Sequence, residues 1–181
     1  MFARFTDSAR RAFVRAGTIA LDAGAPAVRT GHLLLALAEL RPFAGPLDSF
    51  AIAPEAVREH VDTGRSRELL ATLGIDADAV CARARRGADD PALWRLRRSR
   101  VNPLRVTLLG PLGALPLEPY LRKTVEVAQW RPGPVTGERL LWGLLADAAN
   151  GTARILYGGG VDLPALVAEA GIPVHRPSRA A

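Results

Sequence analysis

The densest run of side chains able to do chemistry in this chain is cationic. Eight arginines, at positions 83, 85, 86, 95, 97, 98, 100 and 105, stand against only Asp89 and Asp90. This segment carries the whole formal net charge of +6, because acids and bases balance in the rest of the chain. Arg95, Arg97, Arg98 and Arg100 beside Trp94 form a basic patch that could hold nucleic-acid phosphates while the indole stacks on a base. The plainer reading is an exposed, solvated linker, and an acidic protein partner is a third reading of the same charges. The skew to 23 Arg and 32 Ala, with Lys123 the one lysine, is what a G+C-rich genome produces. Arginine in place of lysine is therefore no evidence of phosphate selection.

The remaining reactive residues are scattered. His32, His60 and His175 do not pair at metal-ligand spacing, and Cys81 stands alone, so neither a zinc site nor an internal disulfide is expected. Cys81 reads as a small core residue of a helix, His32 as a structural hydrogen-bonding group, and His60 as solvent-facing. No Ser, Cys or His has a recognisable base and orienting carboxylate beside it, so an enzyme has no positive support, and no cofactor or metal is implied. Every apolar stretch is broken well short of the ~20 residues a bilayer needs. Met1 to Ala20 has no uninterrupted apolar segment, so a secretory signal is not expected and a cytoplasmic address is.

These residues must be positioned by helices. With 181 residues, 49% of them hydrophobic, the chain can fill one core. Thr6-Asp7-Ser8 is a helix start signal, and Phe5, Ala9, Ala12, Phe13, Ala16 and Ala20 make one apolar face that ends at Gly24-Ala25-Pro26. A leucine-rich helix follows from Thr30, with Leu33, Leu34, Leu37 and Leu40 inward, and stops at Pro42. Short helices are expected over 55–62, 66–73 and 76–85, then over 118–130, 136–149, 152–156 and 163–170. Val106–Leu109 could form a short strand, but an extended linker leaning on the core is the expectation for 87–114, and a frayed tail for 173–181.

The chain repeats itself. His32–Leu37 matches Arg139–Leu144 at an offset of 107, Arg10-Arg11 and Ala16 match Arg122-Lys123 and Ala128 at 112, and Leu70, Gly74 and Asp76 match Leu156, Gly160 and Asp162 at 86. The first copy therefore holds an insertion, at about 40–64, that the second lacks. The reading is all-α: two pseudo-symmetric four-helix repeats, 1–86 and 115–172, packed into one globule, with an inserted short helix in the first and an irregular Arg-rich linker between.

The opening, Met1-Phe2-Ala3-Arg4-Phe5-Thr6-Asp7-Ser8-Ala9-Arg10-Arg11, resembles the start of the Clp amino-terminal (Clp R) domain of ClpC-type AAA+ unfoldases. Thr30–Leu35 and Leu69–Asp76 resemble that family's Gly-Thr-Glu-His-Leu-Leu-Leu and Leu-Gly-Val-Asp motifs, and Glu138–Leu144 with Gly160-Val161-Asp162 fall in the same roles in the second copy. The resemblance covers about 1–40, 65–86 and 115–170. It implies a domain that docks proteins, here without an ATPase, since no G-x-x-x-x-G-K-[ST] is present. The expected function is a non-catalytic adaptor, decoy or sequestering partner for a Clp unfoldase, its clients or peptides that target such domains; nucleic-acid binding through Arg83–Arg105 is the alternative.

The resemblance also implies sites. Family phosphoarginine recognition uses the motif's Glu, where Gly31 stands in the first copy, so that site reads as lost. Glu138, with Thr136 and Arg139, is the surviving candidate, against the plainer reading of a first-turn glutamate favoured by the helix dipole. A peptide groove would be lined by Phe2, Arg10 and Phe13 facing Leu117 and Arg122, with Phe2 alternatively a plain contact capping the first helix.

Overall fold

The computed structural model describes residues 2–45, 47–61 and 90–171. Among these are seven α-helices and one three-stranded antiparallel sheet. The all-α expectation is therefore wrong: the fold is mixed α/β, and the segment read as an irregular linker forms the sheet. The short helices expected over 66–73 and 76–85, Cys81 and the tail lie outside the described residues.

Helix α1 (Asp7–Asp22) begins where the capping signal places it, with the Thr6 hydroxyl accepting the Ala9 N–H at 3.3 Å. Its apolar face is buried along the whole stripe from Phe5 to Ala20. Helix α2 (Thr30–Leu40) buries Leu33, Leu34, Leu35 and Leu37 against it. Leu40, expected to face inward, is instead 47% exposed, because it sits in the last turn. Arg41 ends the helix in the left-handed region, at φ 43°, with its N–H on the Leu37 carbonyl and its guanidinium on the Leu47 carbonyl.

The insertion adds the short helix α3 (Pro54–Arg58), which is shorter than the expected 55–62. Leu47, Phe50, Ile52, Val57 and Val61 are all buried, so this segment supplies core. Glu39 fastens it to the hairpin by accepting from Arg15 of α1 at 2.7 Å and Arg58 of α3 at 2.8 Å. Ser49 fastens its other side, donating from N and Oγ to the Glu169 carboxylate. Ile52 packs on Gly159, where a Cβ would come within 2.8 Å of its side chain.

Strands β1 (Arg95–Arg98), β2 (Val106–Gly110) and β3 (Gly113–Pro116) pair in that order. Register puts Leu96, Leu108 and Leu115 in one cross-strand row, and all three are buried. Each fully buried leucine contributes on the order of 2 kcal/mol of hydrophobic stabilisation. The Gly/Pro punctuation that suggested a linker belongs to the β2–β3 turn, where Gly113 takes φ 130°. The sheet rests on α1 at Gly17: a Cβ there would lie 2.6 Å from Leu108 Cδ2 and 3.1 Å from the Trp94 ring.

The second half repeats the helix hairpin. Helix α4 (Pro119–Trp130) pairs with α5 (Gly137–Leu145), and the short α6 (Thr152–Gly158) and α7 (Leu163–Glu169) flank Gly160-Val161-Asp162. Helix α5 is shorter than the expected 136–149, because Asp147 caps a separate 3-10 turn at Ala148–Asn150.

Two backbone bridges join the halves reciprocally. Phe5, before α1, pairs with Val135, before α5; Val28, before α2, pairs with Leu117, before α4. Phe5 to Leu117 and Val28 to Val135 are the sequence offsets of 112 and 107, so the two helix hairpins are joined reciprocally at corresponding positions.

Candidate functional site

Three places gather the residues singled out above. The first is the seam between the halves. Phe2, Phe5 and Phe13 make a triangle of edge-to-face rings, with centroids 5.1–5.9 Å apart. Phe2 is only 5% exposed, so it is a core contact at the start of α1 and no free anchor. Phe13 and Leu117 are buried as well. Partly exposed at this seam are Arg10, whose guanidinium carbon lies 5.4 Å from the Phe2 ring centroid, and Arg122. The Nε atoms of Arg10 and Arg122 are both buried without a hydrogen-bond partner, and the two residues correspond under the 112 offset. These two donors are orphaned at matching places, each covered from solvent although its residue is partly exposed.

The second place is a recess of about 220 Å³ at the start of α5, lined by Arg131, Thr136, Glu138, Arg139 and Trp142 among others. Thr136 caps the helix by accepting the Arg139 N–H at 3.4 Å. The Arg139 guanidinium donates to the carbonyls of Arg131, Pro132 and Gly133. Arg4, reaching across from the other half, donates to those of Gln129, Arg131 and Gly133. Two guanidiniums thus clamp one run of carbonyls at the end of α4. Arg131 in turn lies over the Trp142 ring, 5.4 Å from its centroid. Sequence reasoning missed Arg4, Arg131 and Trp142 as members of this neighbourhood, since no motif links them.

Glu138 is engaged by the insertion. Its Oε1 accepts the Ala44 N–H, and the Pro42 carbonyl lies so close to Gly137 that a Cβ there would come within 2.2 Å of it. The structure brings Glu138, Thr136 and Arg139 together as expected. It commits part of the carboxylate to the insertion loop and the guanidinium to backbone carbonyls.

The corresponding recess in the first half, about 230 Å³, is lined by Arg29, Gly31, His32, His60, Val61 and Glu118 among others. At Gly31, where the family motif has Glu, a Cβ would meet the Val61 methyl at 3.3 Å. The insertion therefore reaches both recesses. His32 Nδ1 accepts the Arg29 N–H at 3.0 Å, which leaves its proton on Nε2. Its pKa is lowered from 6.5 to about 4, chiefly because burial disfavours the imidazolium and secondarily because of the Arg29 charge. His60 is exposed, with Nδ1 2.9 Å from the Ala56 carbonyl oxygen.

The third place is the sheet. Trp94 is 1% exposed and packs inward against Gly17 and Gly110, which removes it as a stacking platform for a base. Arg98 pairs with Glu126 at 2.8 Å. Arg95, Arg97, Arg100 and Arg105 are exposed. The basic patch is thus a face of a sheet, and it gains Arg105 while losing Arg98 to an ion pair.

Among the described residues no group of three His, Cys, Asp or Glu side chains is placed to hold a metal ion, and no helix is long and apolar enough to cross a membrane. No family model matches the chain, and no curated protein matches it.

Proposed function

We propose that this chain is a non-catalytic protein-binding module of the Clp system, working in the cytoplasm as adaptor, decoy or sequestering partner for a ClpC-type unfoldase, its clients or domain-targeting peptides. The observation that carries this reading is the reciprocal bridging of Phe5 to Val135 and Val28 to Leu117. A duplicated helix hairpin joined this way fits the repeat resemblance of residues 1–40 and 115–170. It also places Arg10 and Arg122, with their unsatisfied Nε atoms, at equivalent positions beside the joint. The three-stranded sheet and the insertion over both recesses are departures from the resembled pattern. They support a selectivity different from that of an unfoldase's own docking domain.

Calorimetry with a purified ClpC-type unfoldase and, separately, free phosphoarginine tests the proposal. Saturable binding of the unfoldase is expected, weakened at least about tenfold by Arg10→Ala or Arg122→Ala, as loss of charge-assisted contacts to a partner requires. Phosphoarginine binding lost in Glu138→Ala would assign the α5 recess. Failure to bind the unfoldase and its isolated clients alike would remove the proposal.

A further inference from the structure

The outer face of the β-sheet is accounted for neither by the core nor by the paired helices. From Pro91 to Leu117 the sequence contains no acidic residue. Strand alternation sends Leu96, Leu108 and Leu115 inward and leaves Arg95, Arg97, Thr107, Leu109 and Ala114 on the opposite side. Register sets Arg95 across from Leu109 and Arg97 across from Thr107. A recess of about 530 Å³ opens on this side, with Arg97, Arg100 and Arg105 among its walls and Val101, Leu109 and Ala114 between them. Val101 is 96% exposed.

Six arginines, Arg4, Arg15, Arg41, Arg58, Arg98 and Arg139, donate to protein oxygens. Arg95, Arg97, Arg100 and Arg105 have no such acceptor among the described residues, so four guanidiniums stand free on one face. Their donors match carboxylates in charge and in planar, two-pronged geometry.

We infer that this face docks an acidic, extended segment of a partner protein, in which carboxylates flank aliphatic side chains. Residues two apart on Arg95–Arg97 repeat at about 6.6 Å, the spacing of alternate side chains in an extended peptide. The aliphatic floor gives the peptide's apolar side chains a place to go. A phosphodiester backbone would gain nothing from that floor, and with Trp94 turned inward the face offers a nucleic acid no aromatic ring. This surface lies apart from the helical seam and the α5 recess, so the inference does not depend on the function proposed above.

The test is fluorescence anisotropy with the full chain and a short labelled peptide in which glutamates alternate with leucine and valine. Its counterpart with glutamine for every glutamate, a single-stranded oligonucleotide and a DNA duplex are the other probes. The glutamate peptide is expected to bind, with the glutamine counterpart at least about tenfold weaker. Arg97→Gln with Arg105→Gln should weaken the glutamate peptide about tenfold or more, since two charge-assisted contacts are lost. Glu138→Ala should leave it unchanged. Circular dichroism of the double variant checks that the fold is kept, and Val101→Ser provides a second variant, expected to weaken binding about threefold through lost apolar contact. Preference for either nucleic acid over the glutamate peptide overturns the inference. So does equal binding of the two peptides, or binding indifferent to both sets of substitutions.

Discussion

The two halves of this molecule use one backbone plan with different residues at corresponding points. Where α1 carries Gly17, α4 carries Gln129; where α2 carries Gly31 and His32, α5 carries Glu138 and Arg139. Gly17 is the place where the sheet comes down on the first half, through Leu108 and Trp94. The insertion, which also packs on the first half, meets the second at its helix start, with Pro42 against Gly137 and Ala44 on Glu138. A duplicated hairpin has thus been covered from outside by two unrelated elements. Each covering is admitted by a glycine that its twin lacks: Gln129 stands opposite Gly17, and Thr30 opposite Gly137.

The sharpest way to break this comparison is Gly17→Gln, which installs on α1 the residue that α4 bears. Its side chain would occupy the space of Leu108 and Trp94, and a loss of about 4 kcal/mol is expected from urea denaturation, with the near-ultraviolet signal of Trp94 altered. Unchanged stability would show that the sheet does not rest on this glycine.

A second contrast is chemical. His32 and Arg139 occupy equivalent helix starts, and it is the histidine whose ordinary pKa lies near neutrality. With its folded pKa at about 4 and the ordinary value at 6.5, His32 binds a proton more readily in the unfolded chain. Stability from this group is therefore complete above pH 6.5 and falls as the pH drops toward 4, by as much as about 3 kcal/mol. Denaturation midpoints measured across that range should slope down toward acid and flatten in His32→Gln. A variant with the same slope as the wild type would place the titration elsewhere. Asp147 acts at lower pH, because the Lys123 ammonium and the Ala149 N–H hold its carboxyl below its ordinary 3.8.

The smallest effects come from the paired helix-start glycines. Gly137→Ala should cost about 2 kcal/mol, because the Pro42 carbonyl must withdraw and the Ala44–Glu138 contact goes with it. Gly31→Ala should instead stabilise by about 0.5 kcal/mol, since alanine is the better helix former and only the Val61 methyl has to shift. Equal effects in the two variants, read from thermal denaturation, would mean that the insertion does not grip the halves differently.

The helices were legible because their signals are local. Thr6, the Phe5–Ala20 stripe and the leucines of Thr30–Leu40, with the stops at Gly24 and Pro42, place α1 and α2 within about two residues of their observed ends. The sheet was not legible. Its strands have four or five residues, β1 is three-quarters arginine, and the inward Leu96, Leu108 and Leu115 are separated by turns. No window of sequence contains the row they make. Glu138 shows the same limit at the site: first-turn placement was readable, whereas its contact with Ala44 spans 94 residues.

What the amino-acid order determined alone was the paired helix hairpins, the start of α1 and α2 and the inward Leu33, Leu34 and Leu37, because capping and 3.6-residue periodicity act over a few neighbouring positions. Tertiary structure alone decided that Trp94 turns inward, that Glu138 serves the insertion, and that four arginines share an open face. Those outcomes depend on strand pairing and on hydrogen bonds between distant segments, whose energies exist only once the chain has brought them together.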